Sequence, residues 1–426
     1  MNNKVNVLIF PAGAELALEI YYSLRFNLHV EVFGASGKSD HAKYVYDKNH
    51  YFEGNYYINA PDFVEKFNQL IDRGNIHFII PTHDTVALFL AQHREKINAI
   101  IVTSSYQAAC IAREKKLTYS LFNEYSFCPK VYEYPFSEAI YPVFLKPNIG
   151  QGAKETCVVS SKEELFSITN QKSGLIACEY LPGEELSVDC FSNRNRDLLF
   201  VGPRTRERVQ MGISFHSSPV QLTSEIRFIA DTINKMVNIR GAWFFQIKKD
   251  QNGIFKLIEF AVRQATTMGL YRQLGVNFAL LSIFDAMNMD VKILKNNIEI
   301  ELDRSLMSRY KLQLEYDNVY IDFDDTIVIN DKVNGEAIRY LYACKNNNIK
   351  IHLLTKHKLD LDQSLSKYCL SKTLFDEIIL IGEHEDKTKY INPSKSIFID
   401  NYFFDREKVS RTLNVPVFDV DAIECL

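Results

Sequence analysis

The run Val319 to Val328, VYIDFDDTIV, carries Asp322-x-Asp324-x-Thr326 at the end of an apolar strand, and no other stretch of the 426 residues restricts the fold as tightly. A strand of Val, Tyr and Ile that stops on carboxylates predicts a parallel sheet whose working groups stand at the strand C-termini. Two unpaired carboxylates so placed repel one another, and a magnesium ion explains both. Two later runs repeat the pattern. Ile349 to Leu354 ends in Thr355, and Ser396 to Ile399 ends in Asp400, with Asp405 close behind. Lys387 sits in the loop before the last run, with Lys389 as its rival. One helix-length segment separates the first two runs, too little for a large inserted domain, so an open site is expected.

The N-terminal region has a comparable rhythm. Val5 to Phe10 reads as a buried strand, Glu15 to Arg25 as an amphipathic helix, His29 to Phe33 as a strand, His77 to Ile80 as a third and Ile100 to Val102 as a fourth. Such βαβ alternation predicts a doubly wound parallel sheet. No GxGxxG is present, and GASGKSD at 34–40 fails the GxxxxGK[ST] spacing, so it reads as a turn. Asp84, after the third strand, has two readings: a substrate contact or the cap of the helix that follows through Arg94.

Between these regions lies VFLKPNIGQGAKET, Val143 to Thr156. A strand delivers Lys146, and a turn with Gly150 and Gly152 follows; an ammonium beside bare glycine backbone suits a polyphosphate, and ordinary turn chemistry is the alternative. Ala112 to Pro129 reads as one helix carrying Lys115 and Lys116. Leu175 to Cys190 reads as strand, Pro-Gly turn and strand, with Glu179, Glu184, Glu185 and Asp189 suited to hydroxyl or amine recognition. Trp243 to Phe260 is a hairpin turned at Asn252-Gly253, which sets Gln246 and Glu259 on one face ahead of Arg263. Oxygen donors beside a cation fit a magnesium nucleotide. Arg204, Arg206 and Arg208 alternate either as a grip on a carboxylate or as an exposed strand face.

A net charge of −4 argues against a nucleic-acid partner. Eight scattered cysteines without a paired spacing suit buried thiols in a reducing cytoplasm. The apolar run at the N-terminus is too short for a signal-peptide core, and no window is apolar enough to cross a membrane, so no membrane partner is expected.

Taken together, Lys146 with its glycine turn, CEYLPGEELSVD and the FFQ…NG…LIEF hairpin closing on Arg263 resemble the ATP-grasp superfamily, in its carbamoyl-phosphate-synthase-like and carboxylate–amine ligase branch. The resemblance implies a pre-ATP-grasp domain over 1–110 and an ATP-grasp α+β domain over 111–308. It implies ATP and Mg2+, with Mn2+ as a substitute, and small-molecule carboxylate and amine substrates. By it Lys115, or Lys116 in the other register, and Lys146 contact the nucleotide phosphates. Residues 150–154 form the lid, Glu179, Tyr180 and Leu181 the adenine hinge, and Glu185 holds the ribose. Gln246 and Glu259 bind magnesium, and Arg263 steadies the transferring phosphate. Where the family has Glu-x-Asn-Pro-Arg, this chain has Glu259-Phe260-Ala261-Val262-Arg263, and Ala261 cannot ligate a metal.

DFDDT, LLT, a lysine and FIDNYFFD resemble the four motifs of the haloacid dehalogenase superfamily of phosphohydrolases, over 317–426. That resemblance implies a Rossmann-like, capless phosphatase domain. In it Asp322 is the nucleophile, Asp324 the general acid and base, and Thr355 and Lys387 the phosphate holders. Asp400 completes a magnesium site with Asp322 and the Asp324 carbonyl, and Asp405 is a second acidic contributor. The whole chain is then α/β, a ligase fused to a phosphatase that handles phosphorylated small molecules, and association into homo-oligomers is compatible with it.

Overall fold

The computed structural model describes residues 4–426 apart from 151, 153, 211, 309 and 311. The chain divides into two compact units, Met1–Met307 and Ser308–Leu426.

The first unit begins with a five-stranded parallel sheet in the order Tyr51–Glu53, Val30–Ser36, Val5–Phe10, Phe78–Pro81, Ile100–Ile101. Its central strand is apolar at every position from 7 to 10 because both faces are covered. Val7 and Ile9 pack under Leu16, Ile20 and Leu24 of the helix Glu15–Leu24, whereas Leu8 and Phe10 pack against Phe63, Phe67 and Leu70 of Phe63–Arg73. The turn expected at GASGKSD begins later than its sequence suggests. Gly34, Ala35 and Ser36 continue the strand and pair with Tyr51, Phe52 and Glu53. Gly34 is there for close approach: a Cβ would stand 2.8 Å from the Tyr46 ring and 2.9 Å from Ala12.

The single helix expected over 112–129 is two helices, Tyr106–Arg113 and Lys115–Phe122, broken at an extended Glu114. The cause is distant in sequence. The amide of Lys115 donates to the Asn148 carbonyl at 3.1 Å, and the amide of Lys116 to Asn148 Oδ1 at 2.8 Å. Asn148 thus caps a fresh helix start that no local residue caps.

Two antiparallel four-stranded sheets follow. One runs Val131–Tyr132, Leu175–Glu179, Val143–Pro147, Cys157–Val159; the other runs Leu198–Thr205, Glu185–Ser192, Gly241–Lys249, Phe255–Ala261. Leu175 to Cys190 is therefore no hairpin, since its two strands join different sheets. Gly183 makes the crossing: its amide donates to the Lys249 carbonyl, and a Cβ there would meet Lys249 Cβ at 2.6 Å.

Alternation sorts the second sheet. Leu186, Val188, Cys190, Trp243, Phe245 and Ile247 form a core with Ile226, Ile229 and Ile233 of the helix Ser224–Val237. The intervening residues, Glu185, Ser187, Asp189 and Gln246, fall on the opposite face. That face carries the site.

The second unit is a five-stranded parallel sheet, Glu377–Leu380, Lys350–Thr355, Asn318–Ile321, Ser396–Ile399, Val417–Phe418. It repeats the first sheet's order, with the earliest strand central and a switch beside it. The strand Asn318–Ile321 stops just before Asp322, as its sequence suggests, and Val328–Ile329 pairs with Lys332–Val333 in a short hairpin. Among the described residues no helix is long and apolar enough to cross a membrane.

Candidate active sites

In the first unit two cavities adjoin over the second antiparallel sheet. One, of about 230 Å³, is lined by Lys146, Glu179, Tyr180, Leu181, Glu185 and Lys248. The other, of about 300 Å³, is lined by Asp84, Arg113, Ser187, Arg204, Ser214 and Arg263. Lys115, Gly150, Gly152, Arg206, Gln246 and Glu259 line both.

Lys146 is 6% exposed. Its Nζ donates to the Tyr119 hydroxyl at 2.6 Å and to the Ile258 carbonyl at 3.4 Å. That carbonyl is available because the hairpin bulges: Gln246 pairs with Glu259 but Ile247 with Leu257, so Ile258 drops out of the ladder. Tyr119 donates to the same oxygen at 2.5 Å. Burial pulls the Lys146 pKa below its ordinary value, since no carboxylate bonds it among the described residues. The same burial pushes the Tyr119 hydroxyl well up.

Gln246 and Glu259 face each other directly across the hairpin, as their spacing predicts. Lys115 Nζ lies 3.6 Å from the Glu259 carboxylate. Lys115 is buried and lines both cavities whereas Lys116 is exposed, so the structure brings the first register to the site. Gly150 and Gly152 line both cavities, and Arg113 donates to the Gly150 carbonyl at 3.2 Å; positions 151 and 153 of the expected lid lie outside the described residues. Glu179 accepts from the Lys130 amide at 2.8 Å. Glu185 is ion-paired with Arg206 at 2.7 Å.

The arginines separate into three situations, none of them a shared exposed strand face. Arg204 is 1% exposed and holds Asp189 through Nε at 2.8 Å and Nη2 at 3.1 Å. Burial raises the Asp189 pKa even though Arg204 opposes it. The remaining nitrogen, Arg204 Nη1, is buried without a hydrogen-bond partner among the described residues, in a side chain that lines the larger cavity. Arg206 is fully engaged by Glu185, Ser187 and the Gly212 carbonyl. Arg208, expected beside them, turns away: half-exposed, it pairs with Asp303 at 2.7 Å and lines neither cavity. It follows a break in the strand, in a left-handed conformation with φ of 45°.

Asp84 lines the larger cavity but does not cap the helix that follows it. His83 caps the helix Asp84–Gln92, while both Asp84 oxygens take the Arg263 guanidinium, at 2.6 and 2.8 Å. Burial would raise the Asp84 pKa, but Arg263 outweighs it and the net shift is downward. Arg263 is thereby fixed at the cavity wall, a partnership between residues 179 positions apart.

In the second unit the strand ends converge on Lys387. Lys387 is 3% exposed and donates to Asp322 at 2.8 Å and to Asp400 at 2.6 Å. Lys389 is exposed. Burial pushes the Asp322 carboxyl up to about 6; Lys387 pulls against it and Asp400 adds to it. Asp400 shifts upward for the same leading reason. For Lys387 burial acts downward, yet the two carboxylates win and its pKa rises. Thr355 Oγ1 is buried close enough to Asp322 to favour its ionised form, although among the described residues it makes no hydrogen bond of ordinary geometry. Asp405 is held by Lys356 at 3.0 Å and stands 3.8 Å from Lys387. Asp324 is exposed and bonded to His357, a residue that sequence reasoning passed over. Its place two residues after Thr355 was the one available signal.

Residues 171–304 match a family model described as ATP-grasp in the biosynthetic pathway with Ter operon. Among solved structures, the biotin carboxylase domain of the Hydrogenobacter thermophilus 2-oxoglutarate carboxylase, solved with MgADP, ADP and bicarbonate, is similar. The match has 15% identity and a TM-score of 0.56, over 70% of this chain and 73% of that one. The N5-carboxyaminoimidazole synthetase of Staphylococcus aureus, complexed with ADP, matches at 16% identity and 0.56, over 68% and 79%. The L-amino acid ligase of Bacillus licheniformis matches at 17% identity and 0.52, over 67% and 75%. No curated protein sequence matches the chain. The chain thus carries the ATP-grasp fold, with a parallel-sheet N-terminal region leading into it.

Proposed function

We propose that the first unit is an ADP-forming carboxylate–amine ligase and the second a magnesium-dependent phosphomonoesterase. The observation that carries the ligase reading is the pair of cavities meeting at Lys115, Gln246 and Glu259. ATP occupies the smaller one, its base against Glu179 to Leu181 and its phosphates toward Lys146 and Lys115. The acid occupies the larger one. Its carboxylate suits the positive wall that Arg204 and Arg263 give this cavity, the Arg204 guanidinium lying buried just behind the surface.

A carboxylate is a poor electrophile, so an oxygen of the acid attacks the γ-phosphorus and ADP leaves. The amine then displaces phosphate from the acyl phosphate. Lys146, Lys115 and Arg263 stabilise charge on the transferring oxygens, and the glycine turn excludes water. Magnesium supplies charge neutralisation on the phosphate oxygens. Glu259 and Gln246, one carboxylate and one amide, would hold it through oxygen donors that suit a hard cation. Among the described residues no three metal-type side chains close round an ion.

In the second unit Asp322 attacks a phosphomonoester, Lys387 and Thr355 hold the phosphoryl oxygens, and Asp324 protonates the leaving oxygen. Asp322 and Asp400 share one lysine charge, a donor set with an anionic excess that suits magnesium. Covalent linkage of the two activities supports a phosphatase acting on the ligase's substrate or product.

The test is full-length protein with ATP, magnesium and panels of acids and amines. ADP release that requires both co-substrates supports the ligase; ATP binding without turnover sinks it. Ala261 favours that second outcome, a nucleotide-binding module, because it removes an oxygen donor beside Glu259.

A further inference from the structure

We propose that His357 is the positioning residue for Asp324, the side chain that gives the leaving group its proton; this rests on the phosphatase reading above. Three consecutive residues, the last of the Lys350–Thr355 strand and the two after it, divide the site among them. Thr355 is buried near Asp322, Lys356 holds Asp405, and His357 Nδ1 lies 2.9 Å from both Asp324 oxygens. The other ring nitrogen, Nε2, is 2.7 Å from Ser364 Oγ on the helix Leu361–Lys367, and the ring meets Phe323 edge-on at 5.1 Å.

The direction of these bonds follows from donor chemistry. When Asp324 is ionised its carboxylate only accepts, so Nδ1 then carries the hydrogen, and Ser364 and Phe323 fix the ring plane along which it points. The two ends of the pair differ sharply in freedom. The His357 side chain is 7% exposed, whereas that of Asp324 is 52% exposed. A half-exposed aspartate has several rotamers open to it; one latched to a buried, doubly tethered ring does not. Proton transfer requires the carboxyl within hydrogen-bond reach of the leaving oxygen, so the latch selects the productive rotamer.

In the first step Asp322 forms a bond to phosphorus, the bond from phosphorus to the leaving oxygen breaks, and that oxygen takes the proton of the Asp324 carboxylic acid. In the second, Asp324 takes a proton from the water that attacks the aspartyl phosphate, and Asp322 is freed with inorganic phosphate. His357 keeps its own hydrogen throughout.

The experiment measures kcat/KM, which covers only the first step, for two esters in full-length protein. The 4-nitrophenolate of 4-nitrophenyl phosphate leaves unaided, whereas the alkoxide of glycerol phosphate needs a proton. His357→Phe is expected to lower kcat/KM about a hundredfold on glycerol phosphate and less than about threefold on 4-nitrophenyl phosphate. His357→Gln, which retains a donor, should recover part of the loss, and Ser364→Ala should produce a smaller version of the same split. Equal losses on both esters, or none on glycerol phosphate, would overturn the assignment. Asp322→Asn guards the underlying reading separately: if wild type hydrolyses neither ester, or the variant matches it, the phosphatase reading and the inference fail together.

Discussion

Lys146 and Lys387 are both buried lysines next to a strand end, yet their surroundings drive them in opposite directions. Lys146 is bonded to a hydroxyl and a carbonyl, and burial lowers its pKa. Lys387 is bonded to two carboxylates, which overcome burial and raise it. Around Lys146 the protein has assembled a second cation, Lys115, which suits the anion proposed above. Around Lys387 it has assembled two carboxylates to one ammonium, which suits the cation proposed above. A buried charge without a full complement of partners is costly, so each imbalance supports the class of ligand proposed for it. The same contrast holds between the two parallel sheets. At the edge of the first, Asp84 is neutralised within the chain by Arg263; at the edge of the second, Asp322 and Asp400 share a single ammonium.

The strongest way to break the comparison is to remove the nucleophile. Asp322→Asn should reduce phosphomonoester hydrolysis at least about a thousandfold while leaving ATP-dependent ADP release unchanged. Loss of both activities would mean that the sites are not independent. Next in size is Lys146→Met, which should reduce ADP release about a hundredfold and weaken ATP binding by calorimetry, with phosphatase turnover unaffected. An unchanged affinity would show that Lys146 does not await a polyphosphate.

A smaller effect sharpens the anionic side. Asp322 must be ionised to attack, and its carboxyl is pushed up to about 6, so kcat/KM for a phosphomonoester should fall as pH drops through that value. Raising magnesium favours the ionised form, so the acid limb should move to lower pH; a limb insensitive to magnesium would count against a cation between Asp322 and Asp400. The smallest effects belong to the exposed residues. Lys116→Ala, Lys389→Ala and Arg208→Ala should each stay within about 0.5 kcal/mol in stability by chemical denaturation, with both activities retained.

Much of this was legible in the residues because it is local. The two parallel sheets follow from apolar runs buried on both faces, and the Gln246–Glu259 pairing follows from alternation around an Asn-Gly turn. What escaped the sequence was set by distant partners. The helix break before Lys115 depends on Asn148, the seat of Lys146 on a bulge at Ile258, and the fixing of Arg263 on Asp84. Arg204, Arg206 and Arg208 look equivalent as a string, and only the folded surroundings separate a desolvated guanidinium with one idle nitrogen from one bonded through all three nitrogens and a surface one.

The cap that Asn148 places on the helix Lys115–Phe122 has a mechanical consequence. The same short segment carries the glycine turn on one side and the helix start on the other, and Arg113, at the end of the preceding helix, holds Gly150. Lifting the turn at its root would unlace the first helical turn and loosen the grip on Lys115. On the nucleotide reading proposed above, a spectroscopic label near Lys116 should register the arrival of nucleotide without touching it.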